Sequence, residues 1–269
     1  DMLGNTIEQI TREKAGIIKE NCHTVLYNSD RLVYNSVKGI CKDKKSLLFS
    51  CQDVLISQED SNMTGTRFSV NDWRFTYDSI YLQLLGKYQI SNAITTLMTI
   101  ESLKSQGYPI PKESVYRGLE NTKWPGRMEI IQKSPTIILD GAHNEQSAKA
   151  VTATLSALTK GKKVYMLIGV LKDKDYKGII DILTPFAHTI IVTQITNKRA
   201  LPAKELYNTI KDRGYDGTLL MLEKNLRNAY RIGQDLLQEN DILCCLGSLY
   251  LVGEIKQLLK NGEEKNDKI

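Results

Sequence analysis

The sequence has no run of about 18 apolar residues, the length that a membrane-spanning helix needs. Its first 20 residues are a charged helical pattern, "DMLGNTIEQITREKAGIIKE", rather than the charged-then-apolar pattern of a signal peptide. No C-x-x-C pair occurs among the five cysteines, Cys22, Cys41, Cys51, Cys244 and Cys245. That spacing excludes the usual zinc knuckles, and the odd count argues against a disulfide framework. Reduced thiols in the cytoplasm are expected. No basic arm with interleaved aromatics is present, which argues against a nucleic-acid partner. No G-x-x-x-x-G-K-[ST] loop occurs, and no G-x-G-x-x-G follows a strand. The chain thus contains neither a P-loop nor a dinucleotide fingerprint, and a nicotinamide dehydrogenase reading loses its support. Histidine is scarce, with three in 269 residues.

What remains is an ordinary globular composition, 41% hydrophobic and 25% charged, with ample chain for one large or two ordinary domains. The net charge of +5 is spread along the sequence and fits a solvated surface.

In the first half, residues 5 to 19 follow a helical period. Asn5 or Thr6 is the cap, and Ile7, Ile10, Ile17 and Ile18 are expected in the core. "HTVLYN" reads as a strand, residues 30 to 42 as a helix, and "SLLFS" and "DVLIS" as strands. "TRFSVNDWRFTYDSIYLQLLG" alternates with period two around Asn71-Asp72, a hairpin signal. "NAITTLMTIESLKSQG" predicts a helix ending at Gly107, and "PKESVYRGLENT" another, opened by Pro111. After the Pro125-Gly126 turn the pattern alternates strand and helix from "RMEIIQ" to "LYLVGEIKQLLK". That alternation predicts an α/β domain with a mostly parallel sheet. The boundary is placed at Trp124, giving domains 1–124 and 125–269. The charged tail 261–269, "NGEEKNDKI", is expected to fray.

One stretch draws chemistry to itself. "TIILDGAHNEQSAKAV" runs from an apolar strand through Asp140, Gly141, His143 and Asn144 into a helix. In open α/β sheets ligands bind beyond the carboxyl ends of strands, and helix N-termini favour anions. Asp140 could position a cation or a sugar hydroxyl, His143 could meet a phosphate, and Asn144 is a capping residue. The plainer alternative is a structural βα turn with an incidental histidine.

"WPGRMEII", "ILDGAHN" and "LGSLYLVGEI", in this order, resemble the C-terminal domain of the folylpolyglutamate and dihydrofolate synthases of the Mur ligase superfamily. "LGNTIEQITREKAGII" resembles that family's segment around its "EKAGI" motif, and "LLGKYQISNAITTL" its G-x-H-Q-x-x-N-A nucleotide segment. The resemblance implies a partial central ATPase domain followed by a Rossmann-like, mostly parallel C-terminal domain. It also implies an ATP- and magnesium-dependent ligase that joins L-glutamate to folate or dihydropteroate through an acyl phosphate. A monomer in the cytoplasm is expected. The family's P-loop lies upstream of the matched region, so the chain is expected to be a fragment that is inactive alone.

The resemblance also implies roles for particular residues. Lys14 in "REKAGI" matches a lysine that is carbamylated and helps organise magnesium; a carbamate is an anionic oxygen ligand that suits a hard cation. Without the resemblance, Lys14 would be a surface lysine paired with Glu8 or Glu13. Gln89 and Asn92 match the segment that approaches adenine, and Tyr88 stands where the family has histidine. Asn92 could instead be a helix cap. Arg127 matches an arginine that reaches the ATP phosphates, and Asp140 with His143 matches the family's pair at the nucleotide site. Ser248 and Tyr250 are expected to pack and start a helix, and Lys172 and Asp173 lie on a loop after a strand. Two alternatives stand beside this reading: a Mur-type amino-acid ligase of peptidoglycan synthesis, and a non-catalytic nucleotide-binding module.

Overall fold

The strand–helix alternation takes shape in a computed structural model that describes residues 4–27, 30–159, 161–214 and 219–266, with side chains to residue 261. Leu3 of the "LG" pair, Asn28, Gly217, Thr218 and residues 267–269 of the tail lie outside the described residues. The chain divides into two compact units, Asp1–Gln83 with Lys87–Thr122, and Leu84–Gly86 with Lys123–Ile269.

In the first unit, helix α1 (Ile7–Ala15) is opened by a capping box. The Thr6 hydroxyl accepts from Gln9 N at 3.2 Å, and Gln9 Oε1 accepts from Thr6 N at 3.3 Å. Ala15 and Ile18 pack with Val33, Val37 and Cys41 of helix α2 (Arg31–Asp43). Ile7 and Ile17, expected in that core, are 43% and 80% exposed. The helix stops at Ala15 with Gly16 as its cap, so the 3.6 period does not carry to Ile17. Ile7 shares the face of Thr11 and Ala15, but it stands at the first helical position, with no preceding turn of α1 to cover it.

Strands β1 (His23–Leu26) and β2 (Leu47–Ser50) pair in parallel. Strands β3 (Leu55–Asn62), β4 (Gly65–Asp72) and β5 (Phe75–Leu82) form an antiparallel sheet. Its β4–β5 turn falls at Trp73-Arg74, two residues beyond the expected Asn71-Asp72, because Asp72 still pairs across to Phe75. There the Arg74 guanidinium folds back on Asp72, with contacts of 2.5 and 2.8 Å. Helix α3 (Lys87–Ser105) starts five residues before Asn92, so Asn92 is not a cap. Helix α4 (Lys112–Glu120) has Pro111 at its N-cap, as expected.

The second unit carries β6 (Glu129–Lys133), β7 (Thr136–Leu139), α5 (Glu145–Leu158), β8 (Val164–Ile168), α6 (Tyr176–Leu183), β9 (Thr189–Val192) and α7 (Ala203–Lys211). Then follow β10 (Leu219–Leu222), α8 (Leu226–Asp235), β11 (Ile242–Leu246) and α9 (Leu249–Asn266). The six strands lie in the order β10-β9-β8-β11-β7-β6, all parallel except β6, which pairs antiparallel with β7. β7, β8, β9 and β11 are buried along their whole length, which explains their unbroken apolar character. Cys244 and Cys245 both lie in the core of β11. Strand β11 separates β7 from β8, so the strand order reverses there, and the turns after β7, β8 and β11 gather at one edge. Helix α9 continues past Lys260 to Asn266. That segment has no proline, and one helical glycine costs only about 1 kcal/mol.

Candidate functional site

The turn after β7 is built from its own short polar residues. Asn144 caps α5: its Oδ1 accepts from Ser147 N at 2.8 Å. The Ser147 hydroxyl accepts from the backbone N–H of both His143 and Asn144, each at 3.1 Å. Asn144 thus fills the capping place read from the sequence, and Ser147, three residues on, completes the box.

Asp140 ends β7 with a side chain that is 2% exposed. Its Oδ1 accepts from Ala142 N at 2.7 Å and its Oδ2 from Met128 N at 2.8 Å. Each oxygen therefore accepts one N–H of the protein's own backbone. Burial pushes the Asp140 carboxyl above its usual range. The two N–H donors and the charges of Arg127 and His143 pull the other way without overcoming it.

His143 is half-buried, and its Nδ1 lies 2.8 Å from the Gly141 carbonyl. A carbonyl only accepts, so Nδ1 carries the hydrogen there. Nε2 is then an acceptor in the neutral ring and a second donor in the cation.

Arg127 lies in the turn before β6, half-buried, with its backbone N–H on the Trp124 carbonyl at 3.2 Å. No carboxylate forms an ion pair with its guanidinium among the described residues. Arg127, Asp140 and His143 are thus one neighbourhood: both basic side chains act electrostatically on Asp140. An arginine without a carboxylate partner, a histidine with one ring nitrogen committed and the start of a 14-residue helix form a group suited to a polyanion.

The other expected residues lie in the first unit. Gln89 is 2% exposed, and its Oε1 accepts from Asn92 Nδ2 at 2.9 Å, so the two amides meet. Tyr88 is half-buried in the first turn of α3. Lys14 is exposed in the last turn of α1 and forms no ion pair with Glu8 or Glu13. No group of three or more His, Cys, Asp or Glu that could hold a metal is gathered among the described residues.

Ser248 is buried, and its Oγ accepts from Tyr250 N at 3.1 Å where α9 begins, in line with a helix-start role. Asp173, on the loop after β8, pairs with Arg199 at 2.9 Å. The Arg199 guanidinium lies 5.9 Å from the centre of the Tyr250 ring. Two residues that sequence reasoning missed are Glu129 and Lys256. Glu129 Oε2 accepts from Gly126 N at 2.7 Å, and its Oε1 accepts from Lys256 Nζ at 2.6 Å. Their separation of 127 positions left no local signal.

Residues 126–249 match the family model described as the Mur ligase, glutamate ligase domain. The match lies within the second unit, and over nearly its whole length the chain is similar to proteins named as folylpolyglutamate and dihydrofolate synthases. It is 29% identical over 264 residues to the dihydrofolate synthase/folylpolyglutamate synthase of Bacillus subtilis, covering 97% of this chain and 60% of that protein. The crystal structure of Thermotoga maritima folylpolyglutamate synthase superposes with a TM-score of 0.81 at 26% identity, over 97% of this chain and 59% of that one. Mycobacterium tuberculosis folylpolyglutamate synthase, solved with ADP and AMPPCP, superposes with a TM-score of 0.83 at 25% identity, over 96% and 60%. The chain thus spans about 60% of the length of the relatives it matches.

Proposed function

We propose that this chain serves an ATP-dependent ligase that joins L-glutamate to folate, dihydropteroate or both. Residues 1–124 would be the latter part of its central ATP-binding domain and 125–269 its C-terminal domain. The observation that carries the reading is the Arg127 guanidinium, without a carboxylate ion pair among the described residues and acting, like His143, on Asp140. ATP, when bound, supplies the activation of the carboxylate that glutamate attacks. Arg127 would fork onto phosphate oxygens and hold its charge there through the reaction. His143 would donate or accept at phosphate through Nε2, with its ring fixed by the Gly141 carbonyl. Asp140 would keep the turn in shape, and Gln89 with Asn92 would offer amide groups to the adenine edge.

Magnesium is the cation that the resemblance places at Lys14. The described residues around that exposed lysine do not form a ligand set. The protein is proposed to act as a monomer in the cytoplasm. Among the described residues, no helix is long and apolar enough to cross a membrane.

The test is phosphate release from ATP by the protein expressed from its native reading frame, with glutamate and either dihydropteroate or tetrahydrofolate. Glutamate-dependent release with one of the two acceptors is expected. Release that ignores both acceptors, or none at all, would defeat the proposal.

A further inference from the structure

Arg127 sits between two residues whose backbones are left-handed, Gly126 at φ +73° and Met128 at φ +44°. Glycine adopts that region freely, but methionine does so only when its surroundings hold it there. Met128 is 2% exposed, so packing provides part of the hold. Hydrogen bonds provide the rest. Gly126 N donates to Glu129 Oε2 at 2.7 Å, and Gly141 N donates to Gly126 O at 2.8 Å. Met128 N donates to Asp140 Oδ2 at 2.8 Å. Glu129 is itself held, because its second oxygen takes Lys256 Nζ, from α9, at 2.6 Å.

Two carboxylates therefore serve the turn around the arginine, Asp140 through backbone N–H groups and Glu129 through Gly126 N and Lys256, and neither forms an ion pair with the guanidinium. A carboxylate that paired with Arg127 would neutralise it and compete with any incoming anion. One that fixes residues 126 and 128 instead aims the side chain between them and leaves its charge for a ligand. We propose that Glu129, anchored by Lys256, is a positioning residue for Arg127. With Asp140 it locks the 126–128 turn, so that the guanidinium is presented to phosphate oxygens in one direction. This rests on the reading above, in which Arg127 meets the phosphates of ATP.

The test is a mutant cycle in the protein expressed from its native reading frame, reading KM for ATP, kcat and thermal stability. Glu129→Ala should impair ATP-dependent ligation on the order of 10- to 100-fold, the loss expected when a contact to reacting charge is misplaced by about 1 Å. In the Arg127→Ala background the same change should alter activity less than about twofold, since a residue that acts through another has nothing left to position. Glu129→Gln keeps an oxygen for Gly126 N and should recover most of the loss. Lys256→Met should fall between the two. Nitrogen-15 relaxation at Arg127 Nε should show greater mobility in Glu129→Ala and Lys256→Met than in wild type. A purely structural role would lower stability without this mobility change.

Additive losses in the cycle, or a folded Glu129→Ala protein with normal activity, would overturn the proposal while leaving the functional reading standing. Normal activity of Arg127→Ala would bring down the assigned role of Arg127 and, with it, this inference. If Glu129→Ala does not fold, Lys256→Met decides: unchanged kinetics and unchanged Arg127 mobility there count against the clamp.

Discussion

Replacing Gly126 with alanine tests the shape of the turn directly, because the two costs it incurs can be separated. The first is backbone strain. At φ +73° an alanine lies in the left-handed region, which costs an L-residue about 1–2 kcal/mol. The second is space. A Cβ built there lies 3.2 Å from Leu249 Cδ2 and 3.2 Å from Val252 Cγ1, so neighbours must give by a few tenths of an ångström. Leu249 is 49% exposed and can swing away. Val252 is 4% exposed and stiff at χ1, so it yields less easily. Overpacking of this kind adds about 1 kcal/mol, the low end of the usual range. The expected loss is thus about 2–3 kcal/mol of unfolding free energy, read from urea denaturation with an unchanged m-value. The control is Gly39→Ala in the middle of α2, where a Cβ meets nothing within 4 Å and the helix is already formed. That change should stabilise the protein by about 0.5–1 kcal/mol. If Gly126→Ala costs less than about 0.5 kcal/mol, within the range of an ordinary surface change, the turn is not held as described.

The remaining expectations concern charge and thiol chemistry. Because burial raises the Asp140 pKa in the folded state, its contribution to stability is fully present below the ordinary carboxylate value of about 3.9 and is lost as pH rises through the raised value. Asp140→Asn should remove that part of the pH dependence; an unchanged stability–pH slope would show that Asp140 titrates normally. Lys14, exposed and without an ion-pair partner among the described residues, should be unmodified in the isolated chain, and intact-mass measurement of freshly purified protein in bicarbonate checks it. With a disulfide reagent, Cys22 should react first, since a hydrogen bond with the Ser46 hydroxyl at 3.3 Å favours its thiolate. Burial holds Cys51 up at about 11 and raises Cys244 and Cys245 further, so the β11 pair should label only on unfolding. Early labelling of Cys244 would contradict the packing of that strand.

The parts of this molecule that were legible in its sequence are the ones specified locally. Asn144 could be read as a cap because a short polar side chain before a helical pattern has one good use. The parallel sheet could be read because strands covered on both faces become continuous apolar runs, as in "TIILD" and "DILCC". What stayed hidden depends on distant partners or on backbone conformation. Nothing in "PGRME" reveals that Met128 turns left-handed or that Glu129 waits for a lysine 127 residues on. The bonds of Asp140 to Met128 N and Ala142 N were hidden too, because a carboxylate after a strand offers the same letter whatever its partners. Ile7 and Ile17 failed for a related reason: periodicity assigns a face but not where the helix ends.

The place of β11 in the sheet has a consequence for how the second unit comes into being on the ribosome. Ile242–Leu246 is the last strand of the sheet in sequence, yet it lies between β7 and β8 and hydrogen-bonds to both. Until that segment is synthesised, the strand pair β6–β7 has no bridge to β8, β9 and β10, and two apolar strand edges stay open. Those contacts join residues 78 positions apart to β8 and 106 apart to β7, the kind of pairing that slows folding. The nascent domain must therefore keep half-finished edges apart until nearly all of it has emerged, and a chain cut short before residue 242 should be prone to pair with its neighbours instead of with itself.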